Sequence, residues 1–172
     1  NKAFPAAGAA AWGGLPFSEL AADMTREAVE KAEQLCPNPR TVLVAAFPYY
    51  AGERGGNLSL YARGLDYHTV VTQRLNTVCD FLKEKYENSC FLPAADNSPL
   101  PERQAAWRCG VGLRGRHGLV ILPPYGSYVF LGTILTDAVL ELPSCTPSPG
   151  CTDCGRCRAA SPGGALGEGG VE

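Results

Sequence analysis

The stretch Asp66–Glu87, DYHTVVTQRLNTVCDFLKEKYE, places Val71, Leu75, Val78 and Leu82 three and four residues apart. That spacing puts them on one helical face, and Asp66 stands where an N-cap belongs. Upstream, Arg40–Phe47 (RTVLVAAF) is a short apolar run, rich in β-branched residues and bounded by prolines, which reads as a buried strand. Between the two, Pro48–Leu60 reads as loop around Gly52, Gly55, Gly56 and Asn57. Working outward, Ser18 is expected to cap a helix running to about Cys36, with Leu20, Met24, Ala28 and Leu35 on one side and Pro37 and Pro39 ending it. Residues 1–17 read as an irregular lead. Downstream, Ser89–Ala94 reads as a strand, and Pro101 opens a short helix to Cys109 that Gly110 stops. Gly112–Gly118 reads as a Gly/Arg loop. Leu119–Leu122 and Ser127–Leu142 read as strand material around the turn at Pro123, Pro124, Tyr125 and Gly126.

The chain has 172 residues, of which 45 % are apolar, enough for one domain with a real core and a small appendage. Its net charge of −2 supplies no overall pull toward nucleic acid or anionic membrane. The one local basic cluster lies in residues 102–117, where Arg103, Arg108, Arg114 and Arg116 face a single Glu102. No apolar run reaches the roughly 18 residues that a membrane span requires. The chain does not begin with Met, and Met24 is its only one, so the reading frame is expected to start upstream.

Eight cysteines fall into two sets. Cys36, Cys79, Cys90 and Cys109 are scattered through helix and strand and read as buried core thiols. Cys145, Cys151, Cys154 and Cys157 crowd into thirteen residues after Pro143, where Pro, Ser and Gly replace the apolar pattern. We therefore expect a core over residues 1–142, and over 143–172 a metal-type arm with a tail that does not pack. Crowded free thiols point to a reducing, cytoplasmic setting.

The arm reads Cys151-Thr-Asp-Cys154-Gly-Arg-Cys157-Arg-Ala-Ala-Ser161-Pro162. Ferredoxin-type arms run C-x2-C-x2-C-x3-C-P, and the two-residue gaps let successive thiolates meet different irons of a [4Fe–4S] cluster. Here Ser161 stands at the fourth position, which in that pattern serves a second cluster, and no second cysteine run follows. Cys145 is near enough in sequence to be the missing donor. A zinc knot of Cys145, Cys151, Cys154 and Cys157, or an arm that holds nothing, are the other readings.

Three further segments precede the arm: Tyr61-Ala-Arg-Gly-Leu-Asp66-Tyr67-His68; Asp96-Asn-Ser-Pro-Leu-Pro-Glu102-Arg103 with Gly110-Val-Gly112; and Tyr125-Gly126-Ser127-Tyr128-Val-Phe130-Leu131-Gly132. In this order and with the arm, the chain resembles the epoxyqueuosine reductases from about Arg40 to Leu166. The resemblance implies an α+β fold with a nitroreductase-like core, a mixed β-sheet with flanking helices on which cobalamin lies. A ferredoxin-like arm would feed it electrons. It implies reductive removal of an epoxide oxygen at the tRNA wobble nucleoside, an external electron donor, and no membrane. Family members carry a second cysteine run and further helices that this sequence lacks, so the sequence leaves the enzymatic state open. A corrinoid-binding or electron-carrier relative without catalysis, or a flavin-binding nitroreductase-like protein, are the alternatives.

Opening an epoxide needs a proton for the departing oxygen. Asp66 is the first candidate acid by resemblance and Asp96 the second. Each has a plainer role, Asp66 as a helix cap and Asp96 as a turn residue in Asp-Asn-Ser-Pro. His68 is placed as a pocket contact and Arg103 as an orienter of a carboxylate or binder of an anion. Gly126, Ser127 and Tyr128 would present backbone donors and an aromatic edge to a flat macrocycle, or simply form a hairpin turn.

Overall fold

The computed structural model describes residues 2–52, 55–167 and 170–171. The strand read from the apolar run is present as β2, Thr41–Pro48, and its first seven residues are all buried. A strand shows alternate residues to opposite faces, so such a run requires cover on both sides. Leu43, Ala45 and Phe47 pack with Val71, Leu75 and Val78 of the long helix Tyr67–Lys85. Val42, Val44 and Ala46 pack on the opposite side with Leu20, Ala32, Ala105 and Ala106. The result is a sheet sandwiched between helices.

In chain order, α1 (Ala3–Ala6) leads into β1 (Ala11–Pro16), and α2 (Phe17–Ala21) and α3 (Arg26–Leu35) lead to β2. A single 3-10 turn, Leu60–Ala62, precedes α4 (Tyr67–Lys85). Then come β3 (Phe91–Ala94), α5 (Glu102–Arg108), the short pair β4 (Leu113–Arg114) and β5 (Val120–Ile121), and β6 (Val129–Thr136). The arm holds α6 (Arg156–Ala160), followed by the two-residue strands β7 (Leu166–Gly167) and β8 (Gly170–Val171). The main sheet has the order β1-β2-β6-β3, and each of its pairings is antiparallel. The α+β class is as expected. The mixed sheet is not: β2 and β3 run alike, but β6 lies between them, so no parallel neighbours meet.

Three local expectations are corrected. Residues 1–17 are not an irregular lead, because β1 pairs with β2 from Ala11↔Ala46 to Pro16↔Thr41. Gly13 and Gly14 hide this strand from propensity, yet they are what its position requires. A Cβ on Gly13 would stand 2.6 Å from that of Cys109, and one on Gly14 2.6 Å from Leu142 Cδ2. The helix expected from Ser18 to Cys36 is two helices, and the second is capped by Thr25, whose side chain accepts the Ala28 N–H. The strand after Ser127 begins at Val129 and ends at Thr136, beyond which the Thr41 hydroxyl donates to Ala138 O and the Thr136 hydroxyl accepts the Ala138 N–H.

The helix α4 is seated on β6 through Gly132, where an added Cβ would meet Val71 Cγ1 at 2.6 Å and Leu75 Cδ1 at 2.8 Å. Overfilling a packed contact typically costs about 1–3 kcal/mol. Gly132→Ala should therefore lower the unfolding free energy by that amount in urea titrations, whereas Gly64→Ala, which meets nothing within 4 Å, should stay within about 0.5 kcal/mol of the parent.

Candidate active site

Asp66 caps α4 as the sequence indicated, accepting the His68 N–H at 3.0 Å. The same carboxylate oxygen lies 2.8 Å from His68 Nδ1. These contacts with His68 hold the Asp66 carboxyl below its ordinary range, and the carboxylate in turn raises the His68 imidazole above 6.5. The other ring nitrogen, Nε2, lies 3.5 Å from Asp96 Oδ2. His68 thus stands between the two candidate acids.

Asp96 sits in the loop between β3 and α5 with φ 66°, a left-handed conformation that Asp tolerates better than most side chains. Its Oδ2 accepts the Tyr67 hydroxyl at 2.9 Å, and its backbone N–H donates to Glu102 Oε1 at 2.9 Å. Tyr67 stacks on His68 at 4.0 Å and on Phe130 at 4.4 Å, so both faces of the ring are held. Burial and the nearby Asp96 carboxyl push the Tyr67 phenol up to about 12, which keeps it a hydrogen-bond donor at neutral pH. Burial pushes the Glu102 carboxyl up to about 7, against the pull of the Asp96 N–H. Tyr67 and Glu102 were not singled out from sequence. Both lie inside the quoted segments, but nothing in the spacing marks Glu102 as half-buried or as an acceptor for the Asp96 amide.

Asp96 opens onto a cavity of about 840 Å³, whose lining also includes Glu102, Arg103, Trp107, Arg116 and Cys151. Arg114 lies over the Trp107 ring at 4.4 Å, and the buried Trp107 Nε1 has no hydrogen-bond partner. Arg103 donates to Gly118 O at 2.9 Å, tying α5 to the loop between β4 and β5 rather than orienting a carboxylate. A second cleft of about 270 Å³ is lined by Phe47, Tyr61, Leu65, Tyr67 and Phe130. Gly126, Ser127 and Tyr128 line neither space. Gly126 has φ 63° and closes a turn by accepting the Leu122 N–H, while Tyr128 packs on Tyr49 and Tyr50.

In the arm, Cys151 Sγ accepts the Asp153 N–H at 3.3 Å, and the Asp153 carboxylate pairs with Arg116 at 2.8 Å. The Asp153 N–H, and after it the backbone and charge of Arg116, lower the Cys151 thiol from its ordinary value, which favours thiolate. Cys157 lies on α6 and Cys154 is exposed. Cys145 instead donates to Gly14 O at 3.3 Å and packs against the inner core beside Cys109. Among the described residues, no three Cys, His, Asp or Glu side chains converge as a metal cage. As expected of core thiols, Cys36, Cys79 and Cys109 are buried; Cys90 is half-buried. No helix among the described residues is long and apolar enough to cross a membrane.

Residues 30–96 match the family model described as epoxyqueuosine reductase QueG, DUF1730. The curated epoxyqueuosine reductase of Atelocyanobacterium thalassa is 37 % identical over 132 residues, covering 73 % of this chain and 41 % of that protein. The chain belongs to the epoxyqueuosine reductase family. It spans about half the length of the curated relatives it matches. Its fold is also that of a solved epoxyqueuosine reductase with a tRNA-Tyr epoxyqueuosine-modified stem loop, with TM-score 0.76 and 23 % identity over 99 % of this chain and 52 % of that one. A more distant likeness, with TM-score 0.58 and 16 % identity, covers 99 % of this chain and 23 % of a reductive dehalogenase described in terms of B12-dependent dehalogenation.

Two outcomes follow from the electrostatics. A carboxyl whose pKa rises on folding from 4.5 to about 7 adds no penalty at pH 4, and destabilises progressively from pH 4.5 to 7, where the unfolded chain gives up its proton and the native carboxyl keeps it. The full penalty is roughly 3 kcal/mol. Glu102→Gln should therefore raise stability by about 1–3 kcal/mol at pH 8 and leave it nearly unchanged at pH 4, read by chemical denaturation at both pH values. Asp66→Asn keeps a capping oxygen but removes the charge, so the His68 imidazole, followed by NMR, should titrate at lower pH than in the parent.

Proposed function

We propose that this chain forms the proton-delivering part of an epoxyqueuosine reductase, acting on the epoxide of a tRNA wobble nucleoside with cobalamin held over a nitroreductase-like core. The observation that carries the reading is the convergence of Tyr67 and His68 on Asp96, which with Glu102 lines a large cavity. Family membership supports the chemistry, and the relative solved with a modified stem loop supports tRNA as substrate. The likeness to a B12-dependent dehalogenase supports the corrinoid.

Removing an epoxide oxygen as water consumes two electrons and two protons and leaves a carbon–carbon double bond. Cobalamin, when bound, supplies the electrons. The cavity suits part of such a group: Trp107 offers an aromatic surface and an unpartnered N–H, and Arg103, Arg114 and Arg116 make its wall basic. The proton is the task of this chain. Asp96, facing the cavity, is placed first as the acid. Asp66 is placed second, because its contacts with His68 favour the carboxylate, which has no proton to give. Its role is to fix and charge His68, which can return a proton to Asp96. Tyr67, by donating to Asp96 Oδ2, leaves the other carboxyl oxygen for the substrate.

The iron–sulfur arm is the less complete part. Cys151, Cys154 and Cys157 have the donor chemistry for three irons of a ferredoxin-like [4Fe–4S] cluster, but Cys145 is turned to the core and no fourth donor joins them among the described residues. An external donor and a cytoplasmic setting complete the reading.

Anaerobic titration of the chain with cobalamin should give saturable binding with shifted cobalt bands; no binding would overturn the reading. Asp96→Asn should bind cobalamin like the parent, yet lose at least about 100-fold in epoxide reduction when a strong chemical reductant replaces the cluster, as expected for loss of a general acid.

A further inference from the structure

We propose that Glu102 is a positioning residue that latches the loop carrying Asp96 into the site, by accepting the Asp96 backbone N–H. The loop is fixed at its ends, where Ala95 and Leu100 are buried, but not at its tip. Asp96 and Asn97 are exposed, and the backbone there makes only tight local turns besides the Glu102 contact, from Asn97 N–H to Ala95 O and from Ser98 N–H to Asp96 O. The left-handed backbone at Asp96 is a conformation that non-glycine residues keep only when their surroundings impose it. Three contacts impose it: Tyr67 and His68 hold the carboxyl, and Glu102 holds the amide. Tyr67 can follow the carboxyl by rotating its side chain, whereas the Glu102 contact fixes the peptide itself. Glu102 stands at the first turn of α5, whose Ala105 and Ala106 are buried in the core, so the latch is anchored to a rigid element.

The latch is tighter when Glu102 is ionised, since a charged acceptor makes a stronger hydrogen bond than a neutral acid. The groups facing it are Asp96 on the loop, Tyr67 and His68 on α4 and Arg103 on α5; Asp96 opposes its ionisation, His68 and Arg103 favour it, and the Tyr67 phenol stays neutral. His68 acts on the loop in the opposite sense with pH, because its positive charge attracts the Asp96 carboxylate most strongly at low pH. The two influences are therefore separable by sign.

The purpose of the latch rests on the reading of Asp96 as the acid, but the latch itself is measured without cofactor or substrate. Amide hydrogen exchange by NMR is followed for Asp96 in the parent chain, Glu102→Gln and Glu102→Ala, with Val44 and Ile134 as reporters of the intact sheet. Glu102→Gln keeps an acceptor oxygen, so its Asp96 protection should match the parent at pH 5.5 and fall about tenfold below it at pH 8. Glu102→Ala should lose protection at both pH values while Val44 and Ile134 stay protected. Should Glu102→Ala fail to fold, the Gln comparison stands alone. A ratio of parent to Glu102→Gln that is flat with pH, or Asp96 protection that survives Glu102→Ala, overturns the proposal. Absence of cobalamin binding would instead overturn the reductase reading and leave the latch measurement intact.

Discussion

The contact on which the rest depends is the seating of α4 against the sheet at Gly132. Val71 and Leu75 descend onto β6 where it has no side chain. That approach fixes the position of the helix N-terminus one turn earlier, and Asp66, Tyr67 and His68 all lie in that turn or at its cap. Because β3 pairs with β6, the loop leaving β3 is delivered beside the same helix end. Phe130, also on β6, supplies the ring against which Tyr67 lies flat. One strand therefore positions the helix, the aromatic platform and the loop that carries Asp96. A displaced α4 would disturb all three together, which is why packing far from the acid cluster bears directly on its geometry.

The cluster works against the stability of the fold that carries it. Glu102, Asp96 and Asp66 bring three carboxyl groups around one imidazole, and one of them is held where ionisation is unfavourable. A protein selected for stability alone would place glutamine at residue 102, keeping an acceptor for the Asp96 amide without a buried charge. Glutamate at this position instead adds a charge that faces Asp96, His68 and Arg103. Such conflict between local stability and chemistry is typical of functional sites.

What the sequence disclosed followed the strength of local signals. The α4 helix, its Asp66 cap, the β2 strand and the Gly110 stop of α5 were legible because periodicity, capping chemistry and a left-handed glycine each act locally. β1 was not, because the glycines that let it pass close to Cys109 and Leu142 erase strand propensity. The break between α2 and α3 was masked by an apolar pattern that runs through Met24, although Thr25 carried a capping signal that outranks it. At the site, Asp66, His68 and Asp96 were reached through their segments. Glu102 was passed over because its importance lies in burial and in a contact with a backbone amide six residues away. Neither is written in residue type or spacing.

The arm and the core were divided by composition, and the structure gives that division a different meaning. After Pro143 the chain does not leave the core: Cys145 bonds Gly14, and the Ser148 N–H donates to Trp107 O at 2.8 Å. These contacts bring Cys151 into the wall of the cavity that also holds Asp96 and Glu102, with Arg116 reaching across to Asp153. The Cys151 thiol and the Asp96 carboxyl thus line one space. The strap from Pro143 to Gly150 crosses the end of α5, and its hydrogen bonds to Gly14 and Trp107 are what set the start of the arm beside the core.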